Sequence, residues 1–206
     1  MTFEIRGLVE GFYCPFYTSA QREDMLRFLA AHAMNFYLYG PKNDRPHRAR
    51  WRAGYAPEQL AGLAHGIALA AELGIRFGYA LSPVSMSYSS PGDLALVRER
   101  FRLFYDLGVR DFALFFDDVA AHFQHSADAR RYGTFARAHA GVSNDLAAWL
   151  RALDPRCTLA ICPTEYHGSP PFGDYLHELG TCLLPEIDVF YTGPDVCCPI
   201  ISAADV

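Results

Sequence analysis

The chain has 206 residues, of which 51% are hydrophobic and 20% are charged, and its formal net charge at pH 7 is −5. This is the composition of an ordinary soluble globular protein with enough apolar residues for a sizeable core, and we expect a single domain over residues 1–206. Because the arginines are scattered rather than clustered into a stripe that could follow a phosphate backbone, the sequence argues against nucleic acid as a partner.

The sequence has no feature typical of export or of membrane insertion. No apolar stretch is long enough to span a bilayer, and the first apolar strand begins at Ile5 without a signal-peptide layout before it. We therefore expect a cytoplasmic protein with no membrane partner, in which the cysteines are reduced thiols of the core. The cysteines are Cys14, Cys157, Cys162, Cys182, Cys197 and Cys198.

Short β-rich runs alternate with longer helical patterns along the chain, which is typical of βαβ units and a parallel sheet. The predicted strands cover residues 5–9, 35–39, 76–81, 111–116, 157–162 and 188–191. Thr18 and Gln21 form a capping-box pattern, and Ser90 before Pro91 predicts an N-cap with proline at the first helical position. Three helices are predicted to close through a left-handed glycine, namely Gly74, Gly108 and Gly180.

Polar or aromatic residues follow every predicted strand. A doubly wound sheet uses mainly its switch point for function, whereas a (β/α)8 barrel places functional groups after each strand, so the pattern favours the barrel. A complete barrel has eight strands and about 250 residues, so we expect about six of the eight βα units here and a catalytic domain that is incomplete at its C-terminus. The alternative is an open sheet whose first and sixth strands are unpaired edges.

Two adjacent carboxylates, Asp117 and Asp118, follow the apolar run at residues 111–116. Neighbours on a regular strand point to opposite faces, so both can reach one site only if the chain bends at the strand end. In that case each raises the proton affinity of the other, and Phe115 and Phe116 add apolar surroundings, which would give a general acid beside a charged orienting group. The alternative is that one aspartate caps the next segment while the other is solvated.

Three further positions at strand ends are candidates for ligand binding. Lys42 is the only lysine among 18 lysine and arginine residues, and its ammonium group donates three hydrogen bonds that suit a hydroxyl-rich ligand. Gly11 permits either close approach of a ligand to the backbone or a turn that excludes a β-carbon. Tyr166 could donate its hydroxyl to a substrate oxygen, although buried tyrosines usually find a partner within the protein.

Histidines raise the question of a metal, but no ligand spacing joins them to the two aspartates. We therefore expect neither a metal nor a cofactor. The histidines considered are His47, His122, His125 and His167.

Several blocks of the sequence resemble, in the same order, the catalytic domain of glycoside hydrolase family 84, which comprises β-N-acetylglucosaminidases and protein O-GlcNAcases. The blocks are residues 7–13 (GLVEGFY), 35–44 (NFYLYGPKND), 112–119 (FALFFDDV) and 162–166 (CPTEY), and the similarity continues to about Pro194.

The resemblance implies a (β/α)8 barrel that removes terminal β-linked N-acetylglucosamine from glycoproteins or glycans with retention, using the acetamido oxygen of the substrate as the nucleophile. By position, Asp117 would orient the acetamido group as an oxazoline forms, and Asp118 would protonate the leaving oxygen and then activate water. Tyr166 would hydrogen-bond the acetamido oxygen. Lys42 and the backbone at Gly11 would hold sugar hydroxyls.

The chain departs from the pattern of this family near the expected sugar site. Cys14 stands where the family usually has glycine, Phe16 and Tyr17 replace a proline-tryptophan pair, and Asn43 replaces an aspartate. The family also carries further sugar-binding residues after its later strands. Two other functions stay open, namely a non-catalytic glycan-binding fragment and a metal-dependent barrel hydrolase that uses the aspartates and His167, and the chain could form oligomers.

Overall fold

The computed structural model describes residues 3–13, 15–120, 122–203 and 205, so Cys14 lies outside the described residues. These residues form six strands, β1 (Gly7–Glu10), β2 (Phe36–Tyr39), β3 (Arg76–Leu81), β4 (Asp111–Phe115), β5 (Thr158–Cys162) and β6 (Asp188–Val189). They also form six helices, α1 (Ser19–Ala31), α2 (Pro57–Glu72), α3 (Pro91–Asp106), α4 (Ser126–Tyr132), α5 (Phe135–Leu153) and α6 (Asp174–Cys182).

The fold is α/β, with the strands in the sheet order β1-β2-β3-β4-β5-β6. Helices separate each strand from the next, and the connection between β4 and β5 contains two of them. The chain divides into two compact units. The first unit comprises Met1–Pro83 and Leu96–Phe112, and the second comprises Val84–Ala95 and Ala113–Val206. No helix among the residues that the structure describes is both long and apolar enough to cross a membrane.

In the first unit, β1, β2 and β3 pair in parallel, with Gly7 opposite Phe36 and Phe36 opposite Arg76. A β-carbon at Gly7 would lie 1.8 Å from the carbonyl oxygen of Phe36, so only glycine allows β1 to approach β2 this closely. Arg76 at the start of β3 pairs with Asp111 at the start of β4, where Nε donates to Oδ2 at 3.1 Å.

Stacked aromatic rings fill the core of the first unit. Tyr79 of β3 is fully buried and stacks on Phe104 of α3, with ring centroids 3.6 Å apart. Phe101, also on α3, packs against Phe112 of β4 at 4.8 Å. Rings of this size each bury roughly 150–250 Å² of surface, so they hold α3 firmly against the strands.

In the second unit, β5 and β6 pair in parallel, with Ala160 opposite Asp188. The longest helix, α5, begins at the N-cap Thr134, whose side chain accepts a hydrogen bond from the N–H of Arg137. Its apolar face is fully buried through residues such as Val142 and Leu146. The spacing of these residues is that of one helix face.

Most of the predicted element ends agree with the structure. The capping box at Thr18 and Gln21 is present, and Ser90 Oγ accepts the N–H of Asp93 at 3.3 Å. Gly74 and Gly108 have φ values of 71° and 110°, as a left-handed helix end requires.

Two predictions about local structure were wrong. Gly180 does not close a helix, because α6 continues to Cys182 and the N–H of Leu183 still donates to Leu179. A helix tolerates an interior glycine at a cost of about 1 kcal/mol when later residues continue its hydrogen bonding. The cysteines are not all core residues, since Cys157 is the only buried one of the five that the structure describes. Cys162, Cys182 and Cys198 are half-buried, and Cys197 is exposed in the segment after β6.

Candidate active site

The two adjacent aspartates lie in a turn at the end of β4. The strand is buried along its whole length, Phe116 after it is fully buried, and the turn begins at Asp117. Asp117 and Asp118 are both half-buried. Because the extended conformation ends before the first carboxylate, the alternation of side chains across a strand no longer separates the two. The chain therefore has the bend that a shared site requires.

The backbone that leads into Asp117 is fixed on both sides of Phe116. The N–H of Phe116 donates to the carbonyl of Cys162 at 2.8 Å, and the carbonyl of Phe116 accepts from Thr164 Oγ1 at 2.9 Å. Cys162 ends β5, and Thr164 lies in the segment after it. The turn with the two aspartates is thus held by β5 and the segment that follows, which limits its conformational freedom.

A buried histidine packs against the residue that precedes this turn. The ring of His139, on α5, stacks on the ring of Phe116 with centroids 4.1 Å apart and an angle of 3° between the planes. His139 Nδ1 lies 2.8 Å from the hydroxyl of Tyr175, and Nε2 lies 3.1 Å from the hydroxyl of Tyr88. Burial lowers the pKa of His139 to about 3, so the ring is neutral near pH 7 and has one donor and one acceptor for these two hydroxyls.

The hydrogen bonds of His139 continue to the segment after β5. The hydroxyl of Tyr175, at the start of α6, accepts the N–H of Thr164 at 3.2 Å. Burial raises the pKa of Tyr175 to about 12, so this hydroxyl stays protonated. Together these contacts form a continuous hydrogen-bond network. Its members are Tyr88, His139, Tyr175, Thr164 and the carbonyl of Phe116.

Tyr166 lies near both aspartates in the second unit. It is half-buried, and its carbonyl accepts the N–H of Thr192 at 3.0 Å. Partial burial raises the pKa of Tyr166 above its ordinary value, and the negative charges of Asp117 and Asp118 raise it further. A phenol in this position remains a hydrogen-bond donor near neutral pH. The structure therefore brings three of the predicted site residues together.

The other two predicted site residues, Gly11 and Lys42, lie in the first unit. The N–H of Lys42 donates to the carbonyl of Phe12 at 3.2 Å, which ties the segment after β2 to the segment after β1. Lys42 is only 7% exposed. The φ angle of Gly11 is outside the left-handed region, so of the two alternatives considered for this glycine a left-handed turn does not apply. A β-carbon at Gly11 would instead lie 3.2 Å from Cγ1 of Val9, which is a tight contact.

A buried ion pair anchors the end of β1 next to Gly11. Glu10 is fully buried, and its carboxylate accepts Nε of Arg22 at 3.0 Å and Nη2 at 3.1 Å. The N–H of Tyr17 at 2.9 Å and the hydroxyl of Tyr37 also donate to it. Four donors on one carboxylate satisfy a charge that would otherwise be costly to bury.

A second buried carboxylate and a buried arginine hold the segment between β2 and α2. Asp44 accepts the hydroxyls of Tyr39 at 2.9 Å and Tyr55 at 2.8 Å, and burial raises the pKa of its carboxyl group in spite of these bonds. Arg100 of α3 donates to three carbonyls of the segment, those of Pro46 at 2.8 Å, Trp51 at 3.0 Å and Ala53 at 2.5 Å. These bonds fix the part of the chain that directly follows Lys42.

Sequence reasoning missed the residues that position the site. Glu10 and Arg22 lie 12 positions apart along the chain, and His139 lies 36 positions from Tyr175 and 51 from Tyr88, so no local pattern reports these pairs. The one available signal was His139 itself, a polar residue three positions after Ala136 and three before Val142 on the buried face of α5.

Two of the four histidines considered for a metal site have clear contacts within the protein. His47 is buried, its Nδ1 lies 2.8 Å from the carbonyl of Ala80, and burial lowers its pKa to about 3. His167 packs its ring against Tyr166. Over the described ranges of the chain, no three His, Cys, Asp or Glu side chains are grouped closely enough to hold a metal ion.

Comparisons with known proteins match nearly the whole chain. The sequence profile of the NAGidase family, described as beta-N-acetylglucosaminidase, matches residues 6–206. The Protein O-GlcNAcase of Rattus norvegicus is 37% identical and that of Mus musculus 36% identical, each over 196 residues. These matches cover 92% of this chain but 21% of each relative, so the chain spans about a fifth of their length.

A solved structure is also similar to this chain over nearly its whole length. The O-GlcNAc hydrolase of Thermobaculum terrenum, solved as an aspartate-to-asparagine mutant, is 36% identical to this chain with a TM-score of 0.95. The match covers 98% of this chain and 44% of that one.

Proposed function

This chain belongs to the beta-N-acetylglucosaminidase family of glycoside hydrolases, and from that premise we propose that it carries the catalytic carboxylates of a retaining exo-β-N-acetylglucosaminidase. The substrates proposed are glycoproteins or glycans that end in β-linked N-acetylglucosamine. The nucleophile is the acetamido oxygen of the substrate. Most retaining glycosidases use one carboxylate as the nucleophile and a second as the acid, whereas here neither carboxylate attacks the sugar.

One observation carries this proposal. The turn at Asp117 and Asp118 follows a fully buried strand and holds two half-buried carboxylates near Tyr166. Catalytic groups in parallel α/β enzymes stand at such strand ends. The fixed backbone around Phe116 supports the proposal, because catalysis depends on groups that are held in place before the reaction.

In the first step, the acetamido oxygen attacks the anomeric carbon while the bond to the leaving oxygen breaks. Asp118 gives its proton to that oxygen, and Asp117 accepts a hydrogen bond from the acetamido N–H, whose positive charge grows as the oxazoline forms. In the second step, Asp118 takes a proton from water, and the water oxygen attacks the anomeric carbon and opens the oxazoline. Two inversions at one carbon give overall retention.

The other site residues bind the sugar in this proposal. The hydroxyl of Tyr166 donates to the acetamido oxygen, which its raised pKa favours because the phenol stays protonated. The ammonium group of Lys42 and the backbone at Gly11 hold sugar hydroxyls. The buried pair of Glu10 and Arg22 positions Gly11 through the end of β1.

We also propose that the fold of the whole enzyme is a (β/α)8 barrel. Val9 on β1 is 39% exposed and Val189 on β6 is 47% exposed. Each is an apolar side chain on a strand at an end of the sheet order. Further βα units beside these strands would cover both residues and remove the open strand edges.

The proposal is tested by the release of nitrophenol from para-nitrophenyl β-N-acetylglucosaminide. We expect steady-state turnover by the parent and a deep loss in Asp117→Asn and Asp118→Asn. Although a nitrophenyl leaving group needs little protonation in the first step, Asp118→Asn also removes the base of the second step, which every turnover requires. The matched control is Asp106→Asn, which makes the same chemical change at an exposed position of α3 and should leave turnover unchanged. A folded protein that binds an N-acetylglucosamine-thiazoline analogue without any turnover would contradict the catalytic proposal and favour simple glycan binding. Loss of turnover on addition of a chelator would point to a metal-dependent hydrolase instead.

A further inference from the structure

The first unit contains an open cavity of about 430 Å³ beside the segment that follows Lys42. Its walls come from the segment after β1, from the segment between β2 and α2, and from the first turn of α2. The lining residues that matter are Phe16, Asn43, Arg45, Arg50 and Gln59. The sugar-binding roles proposed above do not use any of them.

Two arginines of this cavity have no side-chain partner in the part of the chain that the structure describes. Arg45 and Arg50 are both exposed. The N–H of Arg50 donates to the carbonyl of Arg45 at 2.7 Å, so one closed turn presents both residues. Each guanidinium has five N–H donors in a planar fork that fits a carboxylate.

The remaining lining does not neutralise this positive charge. The one carboxylate of the lining, Asp44, is buried and already accepts the hydroxyls of Tyr39 and Tyr55. Asn43 and Gln59 contribute neutral amides, and Phe16 contributes a half-buried apolar wall. The charged groups that line the cavity therefore leave a surplus of positive charge.

The wall that carries the arginines is held in place from inside the protein. Arg100 donates to the carbonyl of Pro46, which lies between the two arginines in sequence. It also donates to the carbonyls of Trp51 and Ala53, which follow the second arginine. A wall fixed in this way loses little conformational entropy when a ligand binds. The backbone of this wall is therefore in place before a ligand binds.

We propose that this cavity binds acidic side chains of a glycosylated protein substrate, close in sequence to the residue that carries the sugar. The inference rests on the proposed function. Asn43 directly follows Lys42, so a ligand in the cavity lies next to the segment assigned to the sugar. Two unpaired guanidiniums beside an apolar wall suit a polypeptide that offers carboxylate and apolar side chains together.

The test uses two N-acetylglucosaminyl-serine peptides that differ only in flanking glutamates or glutamines. For the parent, we expect a lower KM for the glutamate peptide at low salt and a smaller difference at high salt, because exposed charges are screened. Arg45→Gln and Arg50→Gln should each raise the KM of the glutamate peptide, by about fivefold at most for an exposed pair. The kcat and the turnover of para-nitrophenyl β-N-acetylglucosaminide should not change.

The control is Arg27→Gln, which removes the same charge at an exposed position on α1. Equal KM values for the two peptides in the parent, or an equal effect of Arg27→Gln, would overturn the proposal. Binding of the unglycosylated glutamate peptide, measured by fluorescence anisotropy, gives a readout that does not depend on turnover. Loss of this binding in the cavity variants would support the inference even if the proposed activity failed. Absence of binding to an active parent would reject the inference alone.

Discussion

His139 lies flat against Phe116, with the ring centroids 4.1 Å apart, and Phe116 is the residue immediately before the two aspartates. The same imidazole contacts the hydroxyls of Tyr88 and Tyr175. A neutral, fully buried histidine on α5 therefore supports the turn that presents Asp117 and Asp118 through its contact with Phe116. Protonation of His139 would place a positive charge in this buried position, so we expect it to lower the stability of the folded protein.

His139→Gln should make the stability of the protein less dependent on pH. The pKa of His139 is lowered from 6.5 to about 3, so the unfolded chain binds more protons between these values. The stabilisation is present above pH 6.5 and is lost as the pH falls toward 3. Between pH 6.5 and pH 5, this amounts to roughly 2 kcal/mol.

Urea unfolding at pH 7 and at pH 5 measures this effect. The variant should be less stable than the parent at pH 7, because Tyr88 and Tyr175 lose a partner, yet it should lose less stability on acidification. His65→Gln, a change at an exposed histidine, serves as the control. Identical pH dependence in the parent and in His139→Gln would show that the histidine is not neutral in the folded state.

Glu10→Gln should destabilise the protein strongly. The change removes the charge opposite Arg22 but leaves the guanidinium buried, and breaking a buried ion pair in this way costs about 3–5 kcal/mol. Urea unfolding gives the free energy, with Glu99→Gln on the exposed face of α3 as the control. A loss no larger than that of the control would mean that the other donors to Glu10 hold the end of β1 without the ion pair.

Gly7→Ala should prevent the normal pairing of β1 with β2. The added β-carbon would lie 1.8 Å from the carbonyl oxygen of Phe36, and a strand cannot relieve such a contact without moving. We expect a loss of at least about 3 kcal/mol in thermal or urea unfolding. At Gly54 an added β-carbon meets no atom within 4 Å, so Gly54→Ala should be close to neutral. Equal stabilities of the two variants would show that β1 is not held at this register.

Lys42→Met should raise the KM for N-acetylglucosaminides more than it lowers kcat, because the proposed role of the ammonium group is to bind sugar hydroxyls. Lys42→Arg should not restore binding, since a guanidinium is larger and planar and the position is only 7% exposed. Steady-state kinetics with a neutral aryl glycoside measures both constants. Full activity of the arginine variant would contradict a role that depends on the compact ammonium group.

The extent to which the sequence predicted the fold depended on local signals. Gly74 and Gly180 both end a Glu-Leu-Gly tripeptide, but only Gly74 closes a helix with a left-handed φ angle. Gly180 is followed by residues that continue α6. The strand at residues 76–81 was predicted to the residue, because its apolar run is bounded on both sides. Only two residues of the predicted strand at 188–191 pair with β5.

Prediction of the candidate site likewise depended on local signals in the sequence. Asp117, Asp118 and Tyr166 were predicted as site residues because they follow apolar runs that end abruptly. The pairs that position the site, such as Glu10 with Arg22 and His139 with Tyr175, were not found. Their members are polar residues that become buried through contacts between separate elements, and hydrophobic patterns along one segment carry no record of such contacts.

In the proposed mechanism, Asp118 is the acid that protonates the leaving oxygen. The most direct test compares Asp118→Asn with the parent on two substrates, a nitrophenyl glycoside, whose leaving group needs little protonation, and the glycoside of a serine peptide, whose leaving group needs it fully. We predict a loss of about 10²–10⁴-fold in the first chemical step on the serine glycoside and a much smaller loss in that step on the nitrophenyl glycoside. Equal losses on both substrates, measured in single-turnover experiments, would contradict the assignment of Asp118 as the acid.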